Sequence, residues 1–179
     1  MSKKHLVSLV LILVSLFVSA HEMPIDCSLP ADNFTAFSGS QFSFRSDPDN
    51  AANDVGQLFN DGSASWQGFT LDLARAVNLD FQKTITLSFY SFDPNAHKVL
   101  LKLEKGGNPD VEVVVNVPSG GGWTNDISFD FASAKFSSDG VTPVNATGKY
   151  DRITIFIDGG VTTSGTYLID DIDDGSDGS

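Results

Sequence analysis

Residues 83–117 constrain the fold more than any other stretch of the sequence. They hold three runs of strand-forming residues, separated by clusters of turn-forming residues at 93–95 and 106–110. In the first run, apolar and polar residues alternate strictly from Ile85 to Phe89. This pattern predicts a meander of three antiparallel strands with one face in a core and the other facing water or a ligand.

The same alternation recurs on both sides of this stretch, with turn-forming residues between the runs. The further strands are predicted at 34–45 (a weak pair), 55–60, 65–73, 123–131, 150–158 and 166–172. About nine short strands and almost no helix-period stretches indicate an all-β fold, an antiparallel β-sandwich of jelly-roll type with two sheets. A chain of 179 residues suits one such domain.

The first 20 residues have the pattern of a secretory signal peptide. Lys3 and Lys4 precede an apolar run, and small residues end it at Ala20. The run is shorter than the ~20 residues that span a bilayer. We therefore expect a protein that is secreted or at the cell surface, with no membrane contact after cleavage. The expected divisions are a signal peptide at 1–20, a lead-in segment at 21–33, the sandwich at 34–172 and an acidic Gly/Ser linker or disordered tail at 173–179.

Charge and cysteine content narrow the class of partner. The chain has 23 acidic and 11 basic residues, for a net charge of −12. Such a chain repels nucleic acid and anionic membranes, and it suits neutral partners or divalent cations. Cys27 stands alone, which excludes an internal disulfide and a cysteine-based zinc site. Asp26 before it disfavours lipid attachment at Cys27.

The sequence gives only weak support for a catalytic site. Glu104 and Glu112 flank a predicted hairpin turn and are the candidate carboxylate pair for a small hydrolase, although exposed hairpin charges explain them more simply. His21 and His97 stand isolated in the sequence, so neither a Ser-His-Asp triad nor a histidine metal site can be assembled. We therefore expect no enzyme activity.

A calcium site is a better candidate. Asp170 and Asp171 end the last predicted strand, and Asp32 lies in the acidic lead-in. Calcium takes 6–8 oxygen ligands, chiefly carboxylates and backbone carbonyls, so these three residues are the predicted ligands of a structural Ca²⁺. A solvated acidic chain end is the alternative.

Aromatic residues on the polar sides of strands point to a sugar ligand. Trp66, Tyr90 and Phe156 alternate with core residues, and sugar rings stack their C–H faces on such side chains. Packing at a sheet edge or in a second small core is the alternative for each of them. The predicted hydroxyl partners on the same faces are Lys102, Glu104 and Arg152.

Several motifs resemble a known family. Trp66-Gln67-Gly68-Phe69, Tyr150-Asp151-Arg152-Ile153 and Tyr167-Leu168-Ile169-Asp170-Asp171-Ile172 look like motifs of carbohydrate-binding jelly-roll modules of the family 4-like type. Such modules occur beside glycoside hydrolases and in surface glycan-binding proteins of polysaccharide-degrading bacteria. The resemblance covers roughly 30–172. It implies that Asp170, or else Asp171, ligates a structural calcium, and that Trp66 matches a family tryptophan.

The resulting expectation is a non-catalytic module that binds a neutral polysaccharide, with a β-glucan favoured. Its predicted sugar-binding residues are Trp66, Tyr90, Lys102, Glu104, Arg152 and Phe156. A catalytic domain linked downstream in a longer chain is a possible covalent partner. The alternative is a structural or adhesive spacer at the start of a larger surface protein, which would carry no aligned aromatic platform.

Overall fold

The computed structural model describes residues 22–176, and these form twelve β-strands and two short 3-10 turns. The strands are β1 Thr35–Phe37, β2 Ser40–Ser46, β3 Asp54–Asp61, β4 Gly68–Asn78, β5 Thr84–Ser91, β6 His97–Glu104, β7 Val111–Val117, β8 Gly122–Asp130, β9 Ala134–Phe136, β10 Pro143–Val144, β11 Lys149–Ile157 and β12 Ser164–Asp173. The 3-10 turns are Pro30–Asp32 and Phe131–Ser133. Within 22–176, no helix is long and apolar enough to cross a membrane. The predicted signal peptide and residues 177–179 lie outside the described residues.

Two antiparallel sheets face each other. One has seven strands in the order β1-β4-β11-β6-β7-β9-β10, and the other has five in the order β2-β3-β12-β5-β8. The predicted all-β sandwich is confirmed. The strand count exceeds nine partly because β9 and β10 lie between the strands predicted at 123–131 and 150–158, where no strand was predicted. Strands of three and two residues are too short to show alternation.

The core lies between the sheets and follows the alternation read from the sequence. Ile85, Leu87 and Phe89 enter it from β5, and Leu101 and Leu103 enter it from β6; each is 0 % exposed. Burial of such side chains stabilises the fold by roughly 1.5–3 kcal/mol each.

The predicted three-strand meander is wrong in its first pairing, because β5 does not pair with β6. Strand β5 lies between β12 and β8 in the five-stranded sheet, whereas β6 pairs with β7 in the seven-stranded sheet. The turn residues at 93–96 therefore carry the chain across the core from one sheet to the other. Alternation shows which side of a strand is buried, but both sheets bury their inner sides against the same core, so it does not assign a strand to a sheet.

The lead-in segment packs on the sandwich. Met23, Ile25 and Cys27 are buried, and the Ile25 backbone exchanges hydrogen bonds of 2.8 and 3.0 Å with Ile172. Burial raises the pKa of the Cys27 thiol, so Cys27 is a packed, neutral and unreactive side chain.

Candidate functional site

The outer face of the seven-stranded sheet, here called the seven-stranded face, collects polar side chains from four neighbouring strands. The strand register aligns them in two rows. They are Thr70, Thr154, Lys102 and Glu112 in one row and Asp72, Arg152 and Glu104 in the next.

The charges on this face are paired with one another. Arg152 Nη2 donates to Asp72 Oδ2 at 3.1 Å, and Lys105 Nζ donates to the same oxygen at 2.8 Å. Lys102 Nζ lies 2.6 Å from Glu104 Oε1, and Thr154 Oγ1 also donates to Glu104. The face therefore presents donors and acceptors whose positions are already fixed.

Both carboxylates in this network are held in the ionised form. Hydrogen bonds from Arg152 and then Lys105 lower the pKa of Asp72. Burial alone would raise the pKa of Glu104, but the hydrogen bonds from Lys102 and Thr154 outweigh burial and lower that pKa. At neutral pH both groups are acceptors.

Three aromatic rings form a ridge beside this network. Phe156 lies edge-on between Phe37, at 5.7 Å between ring centroids, and Trp66, at 5.5 Å. Trp66 is 51 % exposed. Gly68 lies beneath the ridge, where a Cβ would come within 2.5 Å of the Phe37 ring. The aromatic ridge (Phe37, Phe156 and Trp66) therefore requires glycine at position 68.

Two neighbouring segments hold Trp66 in place. The side chain of the buried Gln67 accepts from the backbone of Gly62 at 2.8 Å, which anchors the chain just after Trp66. On the other side, Gly160 N donates to Ser65 O at 2.7 Å. Gly159 passes directly under the indole, since a Cβ there would lie 2.7 Å from Trp66 Cζ3.

A depression of about 360 Å³ joins the ridge to the polar rows. Trp66 and Phe156 border it, Lys102 and Glu112 lie within it, and the turn at 137–140 closes its far end. An apolar platform thus lies beside charged hydrogen-bonding groups.

The structure brings together five of the six predicted sugar-binding residues. Trp66, Lys102, Glu104, Arg152 and Phe156 all belong to the seven-stranded face. Their role in sugar binding stays a prediction.

Tyr90 does not share that face. It projects from β5 in the other sheet, where its ring centroid lies 5.3 Å from Trp123 and 4.8 Å from Phe92. The prediction that Tyr90 shares a face with Lys102 and Glu104 is therefore wrong, because β5 and β6 belong to different sheets.

Sequence reasoning did not select Asp72, Glu112 or Phe37 for this face. The alternation in the strand predicted at 65–73 places Asp72 on the same side of that strand as Trp66. This was the available sequence signal for Asp72. Its pairing with Arg152 joins residues 80 positions apart, which no local pattern shows.

The predicted calcium ligands are not all in one place. Asp170 and Asp171 line a depression on the outer face of the five-stranded sheet. Asp32 does not line it; its carboxylate accepts from Leu29 N at 3.4 Å within its own 3-10 turn. Among residues 22–176, no three His, Cys, Asp or Glu side chains are grouped to hold a metal. Calcium therefore stays a prediction.

His97 is not isolated, contrary to expectation. Its Nδ1 lies 2.8 Å from Asp158 Oδ2, and its Nε2 lies 3.0 Å from Ser91 Oγ. These distances match those of a Ser-His-Asp triad. However, Ser91 and His97 are each 4 % exposed, and the Ser91 hydroxyl donates to Asp93 O at 3.0 Å. A nucleophile enclosed in this way cannot meet a substrate, so the network is structural and fixes the crossover between β5 and β6.

Comparisons with known proteins support the fold. No protein-family model matches the chain, and no curated protein matches it by sequence. Among solved structures, the family 11 carbohydrate-binding module of a cellulosomal cellulase from Clostridium thermocellum is similar, with a TM-score of 0.57, 16 % identity and coverage of 84 % of this chain and 91 % of that module. The family 11 module from the same organism, in complex with a β-1,3-1,4-mixed-linked tetrasaccharide, gives a TM-score of 0.55 at 16 % identity, covering 78 % of this chain and 86 % of that one.

An exo-β-agarase is also similar, with a TM-score of 0.59 and 12 % identity over 86 % of this chain but only 24 % of the agarase chain. At these identities the likeness shows the fold alone. Two of these three neighbours are β-sandwich carbohydrate-binding modules, which is the fold class that the sequence motifs resemble. The finer family 4-like assignment stays a prediction.

Proposed function

We propose that this protein is a non-catalytic carbohydrate-binding module that binds a neutral polysaccharide, with a β-glucan favoured, on its seven-stranded face. One observation carries the proposal: the half-exposed Trp66 borders a depression that also contains Lys102, whose ammonium group is already paired with Glu104. The similar family 11 module in complex with a β-1,3-1,4-mixed-linked tetrasaccharide supports the preference for a β-glucan.

The geometry suggests how a sugar is held. A pyranose ring lays its apolar C–H face on Trp66. Its hydroxyls donate to the carboxylates of Glu104 and Glu112 and accept from Lys102. Because the Lys102 and Glu104 side chains are held by partners before the ligand arrives, binding costs little of their conformational freedom. Acids and bases alternate on this face, which suits an uncharged polymer.

The alternatives fit the face less well. A spacer has no need for a half-exposed tryptophan supported by Phe156 and by a glycine turn. A hydrolase would need a free carboxylate pair, but Glu104 is bound by Lys102 and Thr154. We further propose secretion and a linked catalytic domain. The agarase match supports the second point, because this chain corresponds to about a quarter of that enzyme.

Affinity electrophoresis tests the proposal. The purified domain is run in gels containing laminarin, lichenan, xylan or mannan. We expect the strongest retardation with lichenan or laminarin, because these are β-glucans. Equal mobility in every gel and in a gel without polysaccharide would contradict the proposal.

Gly159→Ala tests the placement of Trp66 without removing it. The added methyl group would lie 2.7 Å from Trp66 Cζ3, so the indole must move away from the ridge. We expect binding to weaken about three- to tenfold, or roughly 0.7–1.4 kcal/mol, in isothermal titration with the polysaccharide retarded in the gels. Gly107→Ala is the matched control, because a Cβ there meets nothing within 4 Å. Equal affinities for the two variants would contradict the role of Gly159.

The predicted structural calcium needs its own test. If Asp170 and Asp171 hold an ion that stabilises the fold, a chelator lowers the melting temperature of the purified domain, since a ligand that binds only the native state stabilises it. Superimposable melting curves with and without chelator would contradict a structural ion.

A further inference from the structure

A row of apolar side chains crosses the seven-stranded face beside its polar rows. The strand register places Phe156 of β11 opposite Leu100 of β6, and Leu100 opposite Val114 of β7. None of these three belongs to the core cluster between the sheets. Leu100 is the covered middle of the row at 6 % exposed, and Val114 is its open end at 45 % exposed. Because neighbouring strands lie ~4.8 Å apart, this apolar row (Phe156, Leu100 and Val114) extends roughly 10 Å from the aromatic ridge to β7.

A further polar row lies on the other side of the apolar row. Asp158 N donates to Lys98 O at 2.8 Å, and Lys98 is paired with Asn116 in the register of β6 and β7. The Lys98 and Asn116 side chains are exposed. They border a depression of about 240 Å³ together with Gly159, which lies under the indole of Trp66. The upper polar row (Asp158, Lys98 and Asn116) is therefore open to a ligand that reaches Trp66.

The apolar row is thus flanked by polar rows on both sides, since Thr154, Lys102 and Glu112 form the row opposite the upper polar row. Side chains of adjacent rows are two residues apart along a strand, or ~7 Å. A flat sugar chain has a matching cross-section, because its faces carry C–H groups and its hydroxyls project from its two edges. The spacing of the strands is also close to the advance per unit of an extended β-1,4-linked chain. Successive rings of such a chain can therefore follow the apolar row from strand to strand.

Linkage and configuration decide how well a chain fits this row. A β-1,3-linked chain curves, so it leaves a row of this length after few units. In a β-1,4-linked chain each unit is turned over relative to its neighbours, so both of its faces meet the apolar side chains. Glucose units carry no axial hydroxyl on either face. Mannose units would press an axial hydroxyl onto the apolar row at every second unit, and an unpaired polar group against apolar atoms is costly.

We propose that the polysaccharide lies across β11, β6 and β7 along the apolar row, and that its preferred form is an extended β-1,4-linked glucose chain. The ring on Trp66 is followed by rings over Leu100 and Val114. Lys98 and Asn116 bind the hydroxyls along one edge of the chain. This ligand preference rests on the proposed function, since it concerns the same site.

Three hexasaccharides test the preference for linkage and configuration. Cellohexaose, laminarihexaose and mannohexaose are titrated into the purified domain by isothermal titration. Cellohexaose is expected to bind about tenfold or more tightly than either of the others. Affinity of laminarihexaose or mannohexaose within about threefold of that of cellohexaose overturns the proposal, and so does retardation by lichenan without measurable binding of cellohexaose.

A gain of affinity tests the path of the chain over β7. Val114→Tyr places an aromatic ring at the open end of the apolar row and is expected to tighten binding of cellohexaose about threefold, because sugar faces stack on aromatic rings. Misfolding cannot produce such a gain. Gln41→Tyr adds the same ring at an exposed position of β2 in the other sheet, and it is expected to bind like the parent protein. Equal affinities of the two variants overturn the proposal.

A loss of affinity tests the upper polar row. Asn116→Ala is expected to weaken binding of cellohexaose about threefold, because it removes hydrogen bonds to the edge of the chain. Asn125→Ala removes an exposed amide from β8 in the other sheet and is the matched control. Equal affinities of these two variants also overturn the proposal.

The outcomes distinguish this proposal from the function on which it rests. If lichenan retards the domain and Trp66→Ala weakens binding, but Val114→Tyr and Asn116→Ala behave like their controls, the glycan site stands and the path along the apolar row is wrong. If no polysaccharide retards the domain, the function and the path fall together.

Discussion

Trp66→Ala is expected to weaken binding of the polysaccharide retarded in the gels about 30-fold, because truncating a tryptophan at the centre of a binding surface typically costs about 2 kcal/mol. Trp66 is 51 % exposed and packs edge-on against Phe156, so its outer surface is free for a sugar ring. The fold should tolerate the change, since the side chain lies outside the core cluster. Isothermal titration measures the affinity, and circular dichroism checks the fold.

Phe81→Ala is the matched control for this loss. Phe81 is also an aromatic side chain, 89 % exposed, but it lies in the turn between β4 and β5 rather than on the seven-stranded face. It is expected to bind like the parent protein. If Trp66→Ala binds as tightly as Phe81→Ala, the ligand does not stack on Trp66 and the site on the seven-stranded face is misassigned.

The alternation of residues allowed the burial of most strands to be predicted. Ile85, Leu87 and Phe89 lie in the core, and Lys102 and Glu104 face outward, as their positions along the strands indicated. The alternation of side chains between the two sides of a strand follows from backbone geometry alone, so it is the same whatever the order of the strands in a sheet. It carries no information on which sheet receives a strand, and this is why Tyr90 was expected beside Lys102 but lies on the opposite side of the sandwich.

Alternation within each strand is enough to place single residues of the candidate site on an outward side. The contacts between those residues depend on long-range pairing of strands. Trp66, Arg152 and Phe156 could be placed on an outward side from their own strands. The ion pair of Arg152 with Asp72 depends on strands β11 and β4 lying side by side in a specific register. That register is set by the packing of the whole sheet, and a single sequence does not show it.

The His97 network was missed for a related reason. Asp158 follows β11, and Ser91 ends β5, so three distant segments meet at one imidazole. Isolated histidines in a sequence give no sign of such a meeting.

His97→Ala is expected to lower the free energy of unfolding by ~3 kcal/mol, the second large effect, because it removes a buried ring and leaves Asp158 Oδ2 without its N–H donor. The ring also packs against Tyr167 at 5.0 Å and Phe89 at 6.0 Å. For a chain of this length the loss corresponds to a melting temperature lower by roughly 6–12 °C. Chemical denaturation and differential scanning calorimetry measure the two quantities.

The same variant should also weaken glycan binding a few-fold, although His97 lies in the core. Asp158 exchanges hydrogen bonds with Lys98 and begins the turn whose Gly160 donates to Ser65, next to Trp66. When His97 no longer holds Asp158, that turn loosens under the indole. Ser91→Ala leaves the His97–Asp158 pair intact and is expected to cost only about 1–2 kcal/mol with full glycan affinity. If His97→Ala is as stable as Ser91→Ala and binds as tightly, the His97–Asp158 pair supports neither the crossover nor the turn.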